Sequence, residues 1–328
     1  LKRGLHAGLD ERRGFCLNMF SNDELEEIHY ATLEVLENVG ILVFCDEALE
    51  ILDGAGADVD KTNNTVRFPQ WLVEDAIRSA PRKILLAGRD PKHDMVCEGR
   101  RVGFTNFGAG VMIVDPYTGE MKETTKKDVG QTALVCDALD TVDIYSSAVV
   151  GRDMPEATVD LHEAEAFLSN TTKHCQHIDL TGGAGARGFL EMGAAIVGGM
   201  EELHRRPVIS ALVCPVSPLQ LHTNTCEIII EFAKAGVPVN ILSMAMSGAS
   251  SPITLAGTLV THNAEVLAGI VLAQSTRKGS PIMYGSSTTT FDLTYVTAPV
   301  GAPELGMINA GVAELSNFYR LPSYVAGT

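Results

Sequence analysis

Pro238-Val239-Asn240-Ile241-Leu242-Ser243, a Ser- and Gly-rich loop, the apolar run Leu255 to Gln274, and then Pro281-Ile282-Met283-Tyr284-Gly285-Ser286 follow one another in the C-terminal part of the sequence. The two flanking segments are short, uncharged runs of strand-forming character behind a proline. The run between them is too long for a strand and carries a helical pattern. A strand, a covering helix and a second strand make a βαβ unit, whose two strands run parallel.

The unit repeats outward in both directions. Further strand candidates begin near Val102, Ile144, His174, Val208 and Ser323. Helical patterns lie at Val129–Leu139, Ala157–Leu168, Ala186–Leu203, Leu219–Ala235 and Pro303–Tyr319. A repeat of roughly 30 to 45 residues predicts a parallel sheet covered by helices. Seven such strands favour a (β/α)8 barrel of TIM type over a doubly wound dinucleotide fold. The expected architecture is therefore α/β, with residues 101–328 forming a (β/α)8 barrel truncated after strand 7. A barrel lacking its closing strand exposes two edges. The last residues, Leu321 to Thr328, read as a buried strand with no polar tail behind it.

Residues 1–100 read as an N-terminal, mainly helical cap segment or oligomer contact. Ser21 and Glu24 have the spacing of a capping box, ahead of Leu25, Ile28 and Leu36 on one helix face. Pro69 opens another helix and Pro81 closes it, while Asp53-Gly54-Ala55-Gly56 breaks a third.

Composition narrows the function. A chain of 328 residues, 45% hydrophobic and 20% charged, with 31 glycines, suits a loop-rich globular protein. Its net charge of −16 argues against nucleic acid and anionic membranes as partners, since both require basic patches. The longest uncharged run, Ala235 to Ala264, contains too many Ser, Thr, Asn, Gly and Pro residues for a membrane span. Seven cysteines (16, 45, 97, 136, 175, 214, 226) include no C-x-x-C pair, which fits free thiols in a reducing cytoplasm.

In a barrel of this kind the chemistry lies at the carboxyl ends of the strands. Those ends are Thr105-Asn106-Phe107-Gly108, Gly151-Arg152-Asp153, His177-Ile178-Asp179, Cys214 to Ser217, Met244 to Ser251 and Tyr284 to Asp292. The last carries the hydroxyl-rich Ser286-Ser287-Thr288-Thr289-Thr290, a pattern that often serves only its own backbone. In His174-x-x-His177-x-Asp179, strand alternation puts His177 and Asp179 on one face and His174 on the other, so no shared metal is expected. Thr181 to Gly188 can cradle a phosphate at a helix N-terminus or serve as a mobile loop. His262 and Glu265, one turn apart on a covering helix, read as structural.

Three runs carry a family resemblance: Asn240 to Pro252, Leu255 to Leu267 and Tyr284 to Leu293. They resemble the trimethylamine methyltransferase family, and weaker similarity extends over nearly the whole chain. The resemblance implies a (β/α)8 barrel and a pyrrolysine directly after the segment Pro322 to Thr328, so no catalytic residue is expected within the printed chain. It also implies methyl transfer from trimethylamine to the cobalt(I) of a corrinoid. That corrinoid would be carried by a cognate partner protein, with no cofactor bound in this chain. The alternatives are a family member without pyrrolysine acting on glycine betaine or another quaternary amine, and an inactive fragment. A homo-oligomer is expected. For a small methylated amine, the candidate substrate-binding residues are Tyr284, Ser286, Ser287, Thr288, Phe107, His177, Asp179 and Met246. An aromatic face suits a methylated ammonium and a carboxylate can take its proton. Gly182–Gly188 and Gly248–Ser251 are expected to be loops that admit the partner.

Overall fold

The computed structural model describes residues 18–99 and 101–326. In chain order the first elements are α1 (Asn22–Asn38), β1 (Ile41–Val43), α2 (Asp46–Ala55), β2 (Asp58–Asp60), β3 (Thr65–Arg67), α3 (Gln70–Ser79), β4 (Ile84–Leu86) and β5 (Met95–Cys97). There follow β6 (Met112–Val114), β7 (Met121–Glu123), α4 (Lys126–Ala138), β8 (Ile144–Ser146), α5 (Val159–Asn170), β9 (His174–His177), α6 (Gly183–Val197) and α7 (Met200–Arg205). The remainder are β10 (Ile209–Val213), β11 (Gln220–Leu221), α8 (Thr223–Ala235), β12 (Val239–Ser243), β13 (Met246–Ser247), α9 (Leu255–Thr276), β14 (Ile282–Ser286), β15 (Thr289–Thr290), α10 (Pro303–Tyr319) and β16 (Ser323–Val325).

These elements divide into two compact units drawn from separate stretches of chain. The first contains residues 18–82, Val213–Lys234 and residues from Val239 onward; the second contains Lys83–Leu212 and Ala235–Pro238. Neither coincides with residues 1–100.

In the first unit β12, β14 and β16 form parallel ladders, with Ile241 opposite Tyr284 and Gly285 opposite Tyr324. Helix α9 covers them. It is apolar nearly all round, as a core helix must be, and most of it is buried. Ile241 and Tyr284 face α9, the first against Gly269 and the second through its hydroxyl to Asn263. Alternation turns Asn240, Leu242 and Gly285 to the other face. There a Cβ on Gly285 would overlap the Asn240 amide, so only glycine fits. The N-terminal residues join this unit through β1, which pairs antiparallel with β3 and parallel with β11.

The second unit repeats the motif with β8, β9 and β10 as parallel ladders and α4, α5 and α6 as its helices. Tyr145, His177 and Ile209 face the helices: Tyr145 reaches Thr132 of α4, His177 stacks on Phe167 and Phe189, and Ile209 abuts Gly193 of α6. The opposite face is polar, with Ser146 donating to Gln176 and His174 paired with Ser210.

Six of the seven predicted strands are present, and the α/β class with parallel strands holds. The strand expected near Val102 is reduced to isolated parallel bridges, Thr105 to Ile144 and Gly110 to Val149. Gly103 and Gly108 interrupt it, since glycine weakens a strand. Among the described residues before 100, helices α1, α2 and α3 carry most of the regular structure, with the short strands β1 to β5 between and after them. The single helix expected over Ala186–Leu203 is two, broken where Gly198 and Gly199 take positive φ. Gly327, Thr328 and Cys16 lie outside the described residues.

Candidate functional site at the strand ends

In the second unit, two buried carboxyl groups meet where β9 hands over to α6. Helix α5 projects Asp160 and Glu163 from successive turns, and both are buried. Asp160 accepts hydrogen bonds from the backbone and side chain of Thr181 at 3.1 and 2.7 Å. One oxygen of Glu163 accepts from the Gly151 N–H at 2.7 Å, while Oε2 is buried without a partner. Asp179 similarly has a buried, unpartnered Oδ2. Burial raises the Glu163 carboxyl to about 7, opposed by the Gly151 bond and reinforced by the negative charges of Asp179 and Asp160. Burial raises Asp179 as well.

His177 belongs beneath this cluster. It is fully buried, donates from Nε2 to the Asp160 carbonyl at 2.9 Å and accepts the Asp179 N–H on Nδ1 at 3.2 Å. Desolvation lowers it to about 4, so it is a neutral ring at pH 7. Its role here is to fix Asp179, because its bonds leave neither nitrogen open. Phe107, by contrast, is 78% exposed.

The Thr181–Gly188 run is not a loop beyond its first residues, since α6 starts at Gly183. Gly183, Gly185 and Gly188 have the spacing of a dinucleotide-binding loop, yet packing accounts for two of them here. A Cβ at Gly185 would overlap the Asp160 carboxylate and one at Gly188 would press on Leu161. Asp160 therefore supplies a negative charge where such a loop would hold a phosphate.

In the first unit the strand ends are held by α9. Glu265 accepts from Ser243 Oγ at 2.6 Å, Ser217 Oγ at 2.8 Å and Leu219 N–H at 3.0 Å. Burial raises its carboxyl against these bonds. Thr288 donates to the Ser243 carbonyl, so its single hydroxyl proton is used; it must accept from His262, 2.9 Å away. This assigns the proton to Nδ1 and leaves Nε2 of His262 buried without a partner. Burial lowers His262 to about 3. His262 and Glu265, read as merely structural in the sequence, position the carboxyl ends of β12 and β14.

Phe107 belongs to neither cluster; of the other seven candidates, His177 and Asp179 lie in the second unit and Tyr284, Ser286, Ser287, Thr288 and Met246 in the first. Tyr284 is fully buried with its hydroxyl on Asn263 at 2.7 Å, which turns it toward α9. Ser286 is buried and accepts the Thr288 N–H; Ser287 is half-buried and its N–H donates to Ser243. Met246 accepts three N–H groups from Ala249, Ser250 and Ser251, a tight turn that also involves the Gly248–Ser251 segment. His177 and Asp179 share the second-unit cluster with Asp160 and Glu163, neither of which was anticipated. A groove of about 460 Å³ runs along α4 and α5, lined in part by Lys126, Asp153 and Glu165. No group of three or more residues suited to a metal occurs among the described residues.

Parallel strands covered by helices, with polar chemistry gathered at their carboxyl ends, define an α/β protein of the kind seen in solved methylamine methyltransferases. The hydroxylamine complex of MtmB matches at TM-score 0.60 and 13% identity, covering 93% of this chain and 62% of that one. Methanosarcina barkeri monomethylamine methyltransferase (MtmB) matches at 0.54 and 12%, over 92% and 65%. At these identities the likeness is one of fold.

Sequence carries the relationship further. The profile described as Trimethylamine methyltransferase (MTTB) matches residues 10–328. Trimethylamine methyltransferase MttB of Desulfitobacterium hafniense is 53% identical over 100% of this chain and 66% of its own length. That of Methanosarcina barkeri is 48% identical over 100% and 67%. A glycine betaine methyltransferase from D. hafniense is 30% identical over 94% of this chain and 64% of its own. The chain belongs to the trimethylamine methyltransferase family, and spans about two thirds of the length of the curated relatives it matches.

Proposed function

We propose that the complete protein transfers a methyl group from trimethylamine to the cobalt(I) corrinoid of a cognate partner protein. The observation that carries this reading is the 53% and 48% identity, along the whole chain, to proteins named trimethylamine methyltransferase. The acid cluster supports it chemically. A protonated tertiary amine is a small cation with one N–H, and unpartnered carboxylate oxygens on Glu163 and Asp179 offer both a countercharge and a proton acceptor. A neutral His177 beneath them holds Asp179 in place without competing for the cation. The corrinoid, held by the partner, supplies the cobalt that accepts the methyl group.

Within this reading the βα units belong to a (β/α)8-type barrel, and the substrate enters at the carboxyl ends of its strands. The pyrrolysine implied after Thr328 lies outside the described residues. The homo-oligomer and the cytoplasmic setting are parts of the same proposal. Helix α9 alone among the described helices is long and apolar enough to cross a membrane, and 72% of that apolar stretch is buried in its unit.

The test is reconstitution of the complete protein with trimethylamine and a reduced corrinoid protein, following loss of the cobalt(I) absorbance. Trimethylamine-dependent methylation is expected, with KM for the amine raised roughly tenfold or more by Asp179→Asn, as one lost charge-assisted contact predicts. Demethylation at the same rate without any corrinoid protein would overturn the reading.

A further inference from the structure

Helix α4, in the second unit, leaves one of its faces uncovered. Lys127, Gln131, Leu134, Val135 and Ala138 follow the spacing i, i+4, i+7, i+8, i+11, which puts them on one side of the helix, and all five are exposed. Leu134 and Val135, at its centre, are 57% and 59% exposed. The groove between α4 and α5 runs beside this stripe and shares Lys127, Gln131 and Leu134 with it. Gly130 belongs to the groove wall, where a Cβ would press on the Asn170 amide.

The two ends of the stripe carry opposite charges. Lys127 stands in the first turn of α4 and makes no ion pair or hydrogen bond among the described residues. It therefore sits unanswered at the positive end of its own helix dipole. Asp140, also exposed, lies two residues beyond the last residue of α4, Ala138.

From this stripe and its end charges we infer that α4 is a two-fold contact between two copies of this chain, packed antiparallel across Leu134 and Val135. In such an isologous contact every pair occurs twice. With the axis beside Ala133 and Leu134, Lys127 of each copy stands opposite Asp140 of the other, since the two lie equally far from it along the chain. Each Lys127 then gains a carboxylate and the negative end of the opposing helix, and each Asp140 meets a positive end. Leu134 lies beside its own counterpart, and the apolar side chains leave water. The inference gives a surface to the homo-oligomer of the proposed function and uses no step of methyl transfer.

The experiment is sedimentation velocity on the complete protein, which needs neither amine nor corrinoid and so is read whether or not methyl transfer occurs. A dimer or a multiple of one is expected, and Leu134→Glu should halve its mass. Lys127→Glu and Asp140→Lys should each raise the dissociation constant about tenfold, and the double exchange should restore it. Leu134→Cys should cross-link to its own counterpart under mild oxidation. Circular dichroism verifies that each variant is folded. A monomeric wild type would overturn the inference. So would an oligomer whose mass Leu134→Glu leaves unchanged, or a double exchange that associates no more tightly than either single one.

Discussion

Glu163 shows how one side chain can carry a pH dependence for a whole unit. Its carboxyl is raised from 4.5 to about 7, so the folded state holds this proton more tightly than the unfolded chain does. The stabilisation is complete below about pH 4.5 and is lost as pH rises through about 7. The gap corresponds to about 3 kcal/mol. Glu163→Gln keeps an oxygen for the Gly151 N–H but cannot ionise. In amine-free buffer the variant should gain on the wild type from pH 5 to pH 8.5, by up to about 3 kcal/mol in urea unfolding. Parallel stability curves would refute the assignment. Nothing in the sequence singles out Glu163, because acidic residues on helices ordinarily face water. Only the packing of α5 shows that it is buried. His177 and Asp179 were legible through strand alternation, but their roles divide: one supports and the other presents an open oxygen.

Helix α9 illustrates what an element contributes beyond its hydrophobic surface. Asn263 donates to Thr32 of α1 at 2.9 Å and to Tyr319 of α10 at 2.7 Å, and accepts from Tyr284 of β14 at 2.7 Å. One amide thus fixes three elements against a fourth. Asn263→Ala strands the Tyr284 hydroxyl in the core, leaves Tyr319 with His29 alone, and should destabilise the protein by about 3 kcal/mol, read from its urea midpoint. Tyr319→Phe removes two bonds, one from Asn263 and one shared with His29, and should lose about 2 kcal/mol. Equal losses from both variants would show that Asn263 acts through Tyr319 alone. Local signals gave α10 its observed limits and gave α1 its capping box, whose bonds are present. Burial and spacing could not tell that His262, Asn263 and Glu265 reach strand-end or cross-element partners. Such contacts depend on which residues of distant segments arrive opposite them.

For the molecule as a whole, the proposed function makes charge the discriminator between trimethylamine and glycine betaine. Arg152, a strand-end cation that a carboxylate-bearing substrate would need, is paired with Glu123 at 3.2 Å, and the second-unit cluster is acidic. The complete protein should therefore demethylate trimethylamine in preference to glycine betaine by at least about tenfold in kcat/KM, since a carboxylate set beside Asp179 and Glu163 is repelled. Equal rates on the two amines would place the recognising groups elsewhere.

The pairing of β1 with β11 has a further consequence during synthesis. Val43 finds its Cα partner only at Leu221, so the ribosome must add roughly 180 residues, about 10 to 35 s of elongation, before that edge can be covered. Throughout the interval the nascent chain carries a strand with one bare row of hydrogen-bonding groups, a template for the same strand on a neighbouring ribosome of the polysome. Yield of soluble protein should then depend on elongation speed and on chaperones that shield nascent chains, even though the finished fold has that edge closed.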